Sequence, residues 1–74
     1  MKDDLSKISI DIILPNYNSE LYISETISSV INQTFKNWKL IIVDGNSNSE
    51  TKNILKNYNK YQNINIIWLK KNKK

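Results

Sequence analysis

The sequence predicts an α/β fold with a three-stranded parallel sheet and two crossover helices (βαβαβ). Three short segments are rich in β-branched residues, and each stretch between them has apolar residues at helical spacing. Parallel neighbouring strands require crossover connections of this length, most often helices. We therefore expect the 74 residues to form a single partial domain, residues 1–74, with no internal repeat or linker.

The first strand is predicted over residues 8–14, a run dominated by isoleucine. Residues 15–19 contain proline, asparagine and serine, which indicates a loop. Either Asn18 or Ser19 is expected to cap the first helix, because its side chain can accept from free N–H groups of the first turn. That helix is predicted over residues 20–33, with an apolar stripe formed by Ile23, Ile27, Val30 and Ile31.

The second strand is predicted over residues 39–43, where an unbroken apolar run indicates burial on both faces. Residues 44–49 are nearly all turn formers. A second helix should follow them and end near Lys60, and a third strand is predicted over residues 64–69. The candidates for capping the second helix are Ser47, Asn48 and Ser49.

Composition excludes several kinds of chemistry. The chain has no cysteine and no histidine, so disulfides, thiolate zinc sites and imidazole-based catalysis are ruled out. A single glycine rules out the glycine-rich phosphate loops of dinucleotide oxidoreductases and P-loop NTPases. No segment approaches the ~20 apolar residues of a membrane span, and the charged first residues do not resemble a signal peptide. We therefore expect a cytoplasmic location.

The net charge of +4 is concentrated in a lysine-rich tail, residues 70–74. Such a tail is either a solvated chain end or a site for phosphates or an anionic membrane surface. A peripheral contact with the inner face of the membrane is therefore kept as an alternative. Every basic residue is lysine, and isoleucine and asparagine are also used heavily, which is the composition that the codon bias of an AT-rich genome produces. The lysine count is therefore weak support for nucleic-acid binding, and we expect no nucleic-acid partner.

The residues that could bind a ligand follow the first two strands. Ligands of open α/β sheets bind beyond the carboxyl ends of the strands, and neighbouring strands would bring both loops to one pocket. Tyr17 offers an aromatic face and a hydroxyl, Asp44 a carboxylate, and Gly45 a close approach or a positive φ. The alternative is structural: Pro15 ends a strand, and Asp44 bonds to its own turn. The candidate binding residues are Pro15, Asn16, Tyr17, Asp44, Gly45 and Asn46.

Three motifs in register resemble family 2 glycosyltransferases of the GT-A fold. Residues 12–18 (Ile-Ile-Leu-Pro-Asn-Tyr-Asn) are similar to their opening strand and loop. Residues 21–23 and 28–35 are similar to the first helix and its exit. Residues 38–47 are similar to the second strand and the nucleotide loop. The resemblance covers about residues 8–58 and implies the N-terminal, nucleotide-binding half of a GT-A fold.

The resemblance implies an enzyme that transfers a sugar from a nucleotide donor to a hydroxyl acceptor. In the family, the two loops bind the nucleoside of a donor that is usually of the UDP or dTDP type. Pro15 and Tyr17 would then line the base site, and Asp44 matches the first acidic residue of the second loop. Many members have a second Asp directly after it that contacts the base, and here Gly45 takes that place.

The chain departs from the family in its length. Family catalytic domains run to a few hundred residues, and their Asp-x-Asp metal motif, acceptor site and catalytic base lie downstream. A divalent metal, Mg²⁺ or Mn²⁺, is therefore expected for the intact enzyme and not for this segment alone, in which we assign no catalytic or metal residue. We expect a fragment, a truncated gene product or half of a split enzyme, inactive when isolated.

Two further alternatives stay open. The first is a non-catalytic α/β nucleotide-binding or interaction remnant of a truncated gene. The second is a basic surface-binding protein that uses the lysine tail. Three strands alone also leave open edges and an uncovered apolar face, which predicts self-association or a missing C-terminal half as partner.

Overall fold

The computed structural model describes residues 8–70 and confirms the predicted order of strands and helices. The three strands form one parallel sheet in the order β1-β2-β3. Apart from Lys70, the predicted basic tail lies outside the described residues. The elements are β1 (Ile10–Asn16), α1 (Ile23–Ile31), β2 (Trp38–Asp44), α2 (Ser49–Lys56) and β3 (Ile64–Trp68).

One face of the sheet carries the hydrophobic core. Leu40 and Ile42 of the central strand β2 are fully buried there. Both helices contribute to the same cluster, α1 through Ile23 and Ile27 and α2 through Leu55. The two helices therefore cover the same face of the sheet, as expected when successive right-handed crossovers join strands that follow one another in order.

No helix of the described residues covers the opposite face of the sheet. Ile13 of β1 is 59% exposed and Ile67 of β3 is 48% exposed on that face. Ile41 and Val43 are only half-buried, so the prediction that this run is buried on both faces was wrong. The reason is that both crossovers lie on one side. Self-association through the open face stays a prediction.

Both helices are shorter than predicted. Helix α1 begins at Ile23 rather than residue 20, after a turn in which the Ser19 carbonyl accepts from the N–H groups of Tyr22 and Ile23. Its N-cap residue makes no side-chain capping bond, so neither Asn18 nor Ser19 caps it. Helix α2 ends at Lys56 instead of Lys60, because the chain tightens into bonds between residues three apart.

Strand β1 is displaced from its predicted range and includes two residues that were assigned to a loop. Pro15 pairs with Val43, and Asn16 pairs with Asp44 in the parallel ladder. Proline is tolerated here because β1 is an edge strand, where a missing N–H does not break the centre of the sheet. The extension places Asn16 directly beside Asp44 at the carboxyl edge.

Candidate functional site

The loops that follow β1 and β2 lie side by side at the carboxyl edge of the sheet. Strands β1 and β2 are neighbours, which was the condition for the predicted shared pocket. The ladder continues one bond past the strands, where the Gly45 N–H donates to the Asn16 carbonyl at 2.8 Å. This edge therefore brings together two polar loops that are separated by almost thirty residues in the sequence.

Asp44 lies at the centre of the contact between the loops. Its side chain is 0% exposed. Oδ1 accepts from Asn16 Nδ2 at 3.1 Å and from Ser47 Oγ at 2.6 Å, and Oδ2 accepts from the Ser47 N–H at 3.0 Å. We expected this carboxylate to open into a cleft beside Tyr17, but it faces the two loops instead. Its assignment to a nucleotide-binding set stays a prediction.

Asn16 links the same cluster to the beginning of the next turn. Its Nδ2 group donates to Asp44, and its Oδ1 atom accepts from the Ser19 hydroxyl. Asn16 and Ser19 are both buried. Since both ends of the Asn16 amide have partners within the protein, its side chain is engaged in holding the loops.

A second bridge between the loops runs through Asn18. The Asn18 N–H donates to Ser47 Oγ at 2.8 Å, and Asn18 Oδ1 accepts from the Asn48 N–H at 2.7 Å. Neither Asn18 nor Ser47 was among the predicted site residues. The available signal was an Asn/Ser-rich loop after each of two adjacent strands, which offers side chains able to bond across from one loop to the other.

The outer surface of the site is formed by the remaining candidates. Tyr17 is 49% exposed, and Pro15 and Asn46 are also exposed. Gly45 was expected to allow either a close backbone approach or a positive φ, and it does not adopt a positive φ; the positive φ of this loop, 68°, is at Asn46. Asn46 Oδ1 accepts from Lys52 Nζ at 2.9 Å, which leaves the Asn46 amide nitrogen as a donor at the surface.

The first turn of α2 is tied back to the first loop by Glu20. Asn48 is the N-cap of α2, one of the three residues predicted for that role, and its Oδ1 accepts from the Thr51 N–H at 2.9 Å. Glu20 Oε1 accepts from Thr51 Oγ1 at 2.7 Å and from Asn48 Nδ2 at 3.4 Å. Hydrogen bonds lower the pKa of Glu20 from its ordinary value. The bond from Thr51 has the largest effect, followed by a backbone bond and the bond from Asn48.

Acidification is expected to remove the stabilising contribution of Glu20. Since its folded pKa is lowered, this contribution is fully present above the ordinary pKa and is lost as pH falls through the lowered value. At neutral pH, the free energy of unfolding measured by denaturant titration should therefore be larger for wild type than for Glu20→Gln. The difference should narrow in acid. A stability difference between wild type and Glu20→Gln that does not change with pH would contradict the prediction. So would an equally large, pH-dependent difference between wild type and Glu25→Gln on α1.

The described residues contain neither a cluster of metal-binding side chains nor a helix that could span a membrane. Within residues 8–70, no three or more Asp, Glu, His or Cys side chains are grouped so that they could hold a metal ion. The one carboxylate at the site, Asp44, already accepts three hydrogen bonds, so the residues present do not fit a divalent ion. No helix in the same range has the length and apolar character needed to cross a membrane.

The chain is similar to known proteins over most of its length. The model of the family "Glycosyl transferase family 2" matches residues 11–74. The minor teichoic acid biosynthesis protein GgaB of Bacillus subtilis (strain 168) is 42% identical over an alignment 74 residues long, which covers 96% of this chain and 8% of GgaB. The UDP-Glc:alpha-D-GlcNAc-diphosphoundecaprenol beta-1,3-glucosyltransferase WfgD of Escherichia coli is 46% identical over 43 residues, 58% of this chain and 17% of WfgD.

A solved structure shows the same arrangement of strands and helices. The crystal structure of S. aureus TarS 1-349 matches with a TM-score of 0.76 and 31% identity, over 88% of this chain and 20% of that chain. The chain spans a quarter or less of the length of these relatives. The fold is thus confirmed as a βαβαβ unit that matches part of a GT-A glycosyltransferase domain. On the match over residues 11–74, the chain belongs to glycosyl transferase family 2.

Proposed function

We propose that this chain forms the donor-binding part of a glycosyltransferase that moves a sugar from a nucleotide donor to a hydroxyl acceptor. The observation that carries the proposal is the joined pair of loops at the carboxyl edge of β1 and β2, where α/β sheets bind ligands. Family membership gives the reaction class, and the exposed Tyr17 gives the loops an aromatic surface for a base.

The proposed site divides into an inner and an outer set of residues. Asn16 and Asp44 form the inner set, because both are buried and their side chains hydrogen-bond to each other and so connect the loops. Pro15, Tyr17 and Asn46 are exposed and would contact the nucleoside. Gly45 is half-buried and has no side chain, so a base edge can approach the backbone closely there.

A pyrimidine nucleotide fits the groups that this surface offers. Tyr17 can stack on a base, and the free Asn46 amide nitrogen can donate to a base carbonyl of the kind that uracil and thymine both have. The relative WfgD is named for a UDP-sugar, UDP-Glc. We therefore propose a UDP- or dTDP-type donor. The divalent metal expected for the intact enzyme takes no part in this assignment, because the residues that the structure describes do not fit one.

Replacing Tyr17 by alanine should weaken UDP binding. We expect the 74-residue chain to bind UDP with a dissociation constant in the high-micromolar range or above, which corresponds to a binding free energy of roughly 5 kcal/mol or less in magnitude. Loss of base stacking costs about 1–3 kcal/mol, so the affinity should fall about tenfold. Calorimetric titration of wild type, Tyr17→Ala and Tyr17→Phe measures this, and the phenylalanine variant should keep most of the affinity because it retains the ring.

The matched control is Tyr61→Ala. Tyr61 is also partly exposed, but it precedes β3 at the opposite edge of the sheet and stacks on Tyr58. Its removal should leave UDP affinity unchanged. Equal affinities for wild type and Tyr17→Ala would count against the site. We expect no sugar transfer by the isolated chain in an assay with UDP-sugars and Mn²⁺. Metal-dependent UDP release above the no-protein control would contradict this expectation and show that the chain is catalytic by itself.

A further inference from the structure

We infer that Asn18 and Ser47 are positioning residues that join the two loops into one preformed donor site. This inference rests on the proposed function. Neither side chain belongs to the nucleoside-contacting set, and each bonds across from one loop to the other. They act on the donor through Tyr17 and the β2 loop and do not touch it themselves.

Asn18 is shaped for this task by its backbone conformation. Its φ of 47° lies in the left-handed region, which asparagine tolerates better than most residues. In this conformation its N–H reaches Ser47 Oγ and its side-chain oxygen reaches the Asn48 N–H. Since Asn18 directly follows Tyr17 in the chain, the two bonds fix the main chain that carries the aromatic ring.

Ser47 passes this connection on to the buried carboxylate. Its side chain is 5% exposed, and its hydroxyl accepts from Asn18 while it donates to Asp44 Oδ1. The hydroxyl is therefore satisfied as donor and acceptor at once. Asp44 in turn accepts from Asn16 in β1. The path of hydrogen bonds therefore runs from β1 through Asp44 and Ser47 to Asn18, which lies in the loop that follows β1.

A closed path of this kind should set the loops before the donor arrives. Ordering a loop during binding subtracts from affinity, so a site that is ordered in advance binds more tightly through the same contacts. The part of the path formed by Asn16, Asp44 and Ser47 is buried, and buried polar networks that are fully satisfied hold their members in one arrangement. The bridges should thus raise donor affinity without any contact to the donor.

The test compares two substitutions at Asn18. Asn18→Gly allows the same left-handed φ and keeps the N–H, but it removes the oxygen that accepts from Asn48. Asn18→Asp keeps an acceptor oxygen at that position. Ser29→Ala, which removes an exposed side-chain bond within α1, controls for the loss of any one hydrogen bond. The readouts are amide hydrogen exchange at Asn48 by NMR and UDP affinity by calorimetry.

We expect Asn18→Gly to speed exchange at Asn48 and to weaken UDP binding, each by roughly fivefold, the effect of about one net hydrogen bond. Asn18→Asp should keep both the exchange rate at Asn48 and the UDP affinity near the wild-type values, and Ser29→Ala should change neither quantity. Ser47→Ala is a second variant that removes the partner of the Asn18 N–H and should speed exchange at Asn18 in the same way. If the glycine variant does not fold, exchange at Asn18 in Ser47→Ala tests the bridge between the loops instead.

The outcomes separate this inference from the proposed function. Unchanged exchange at both amides would overturn the bridge, whether or not UDP binds. Faster exchange with unchanged UDP affinity would overturn the positioning role. If wild type binds no UDP while the variants still exchange faster, the proposed function fails and the bridge between the loops is supported.

Discussion

Replacing Asp44 by alanine should destabilise the protein by about 2–4 kcal/mol. The substitution removes the acceptor of three hydrogen bonds in a site that is 0% exposed. Asn16 Nδ2 and both donors of Ser47 then lack their partner, and each buried donor without a partner costs about 1–3 kcal/mol unless water enters. The same change should abolish measurable UDP binding, because the loops lose the group that holds them together.

Denaturant titration of wild type, Asp44→Ala and Glu50→Ala measures this effect. Glu50 is an exposed carboxylate in the first turn of α2, so its removal should cost no more than about 0.5 kcal/mol. Asp44→Asn should fall between the two, because an amide oxygen can still accept but its NH₂ group faces donors. Similar stabilities for the two alanine variants would show that the Asp44 network contributes little to the fold.

The order of elements was predictable because its signals are local. Apolar runs and helical spacing are properties of short segments, and these segments became β1, α1, β2, α2 and β3. The helix caps were less predictable. Asn48 caps α2 as local preference suggests. Asn18 and Ser19 have the same preference, but their side chains bond to the other loop and to Asn16 instead.

The roles within the candidate site depend on register, which the sequence does not show. Asn16 and Asp44 were each predicted to face a ligand, yet they bond to each other because their strands pair in that register. The structural alternative for Asp44, a bond to its own turn, holds as well through Ser47. The sequence thus predicted that the two loops lie together at one edge of the sheet, but not the division between residues that hold the loops and residues that are exposed.

The second face of the sheet shows another limit. An unbroken apolar run predicts burial on both sides only if a second layer is present, and the run itself does not report that layer. Among the described residues both helices lie on the face of Leu40 and Ile42. The opposite side of the same strands leaves Ile13 and Ile67 exposed.

Replacing Ile42 by alanine should therefore cost far more than replacing Ile13. Ile42 is fully buried at the centre of the sheet, between Leu14 and Ile66 in the ladder, and Ile→Ala at such a site costs about 2–5 kcal/mol. A chain of 74 residues has a total stability of about 4–11 kcal/mol, so this single change should remove a large fraction of the free energy of unfolding.

Ile13→Ala is the matched control, since it makes the same change on a neighbouring strand at a position that is 59% exposed. Its cost should stay below about 1 kcal/mol, because most of its apolar surface is already in contact with water. Both costs are measured by denaturant titration at several protein concentrations. Equal costs would show that Ile13 is covered in solution. If that cost also rises with protein concentration, the covering layer is a second copy of the chain, packed on the open face of the sheet.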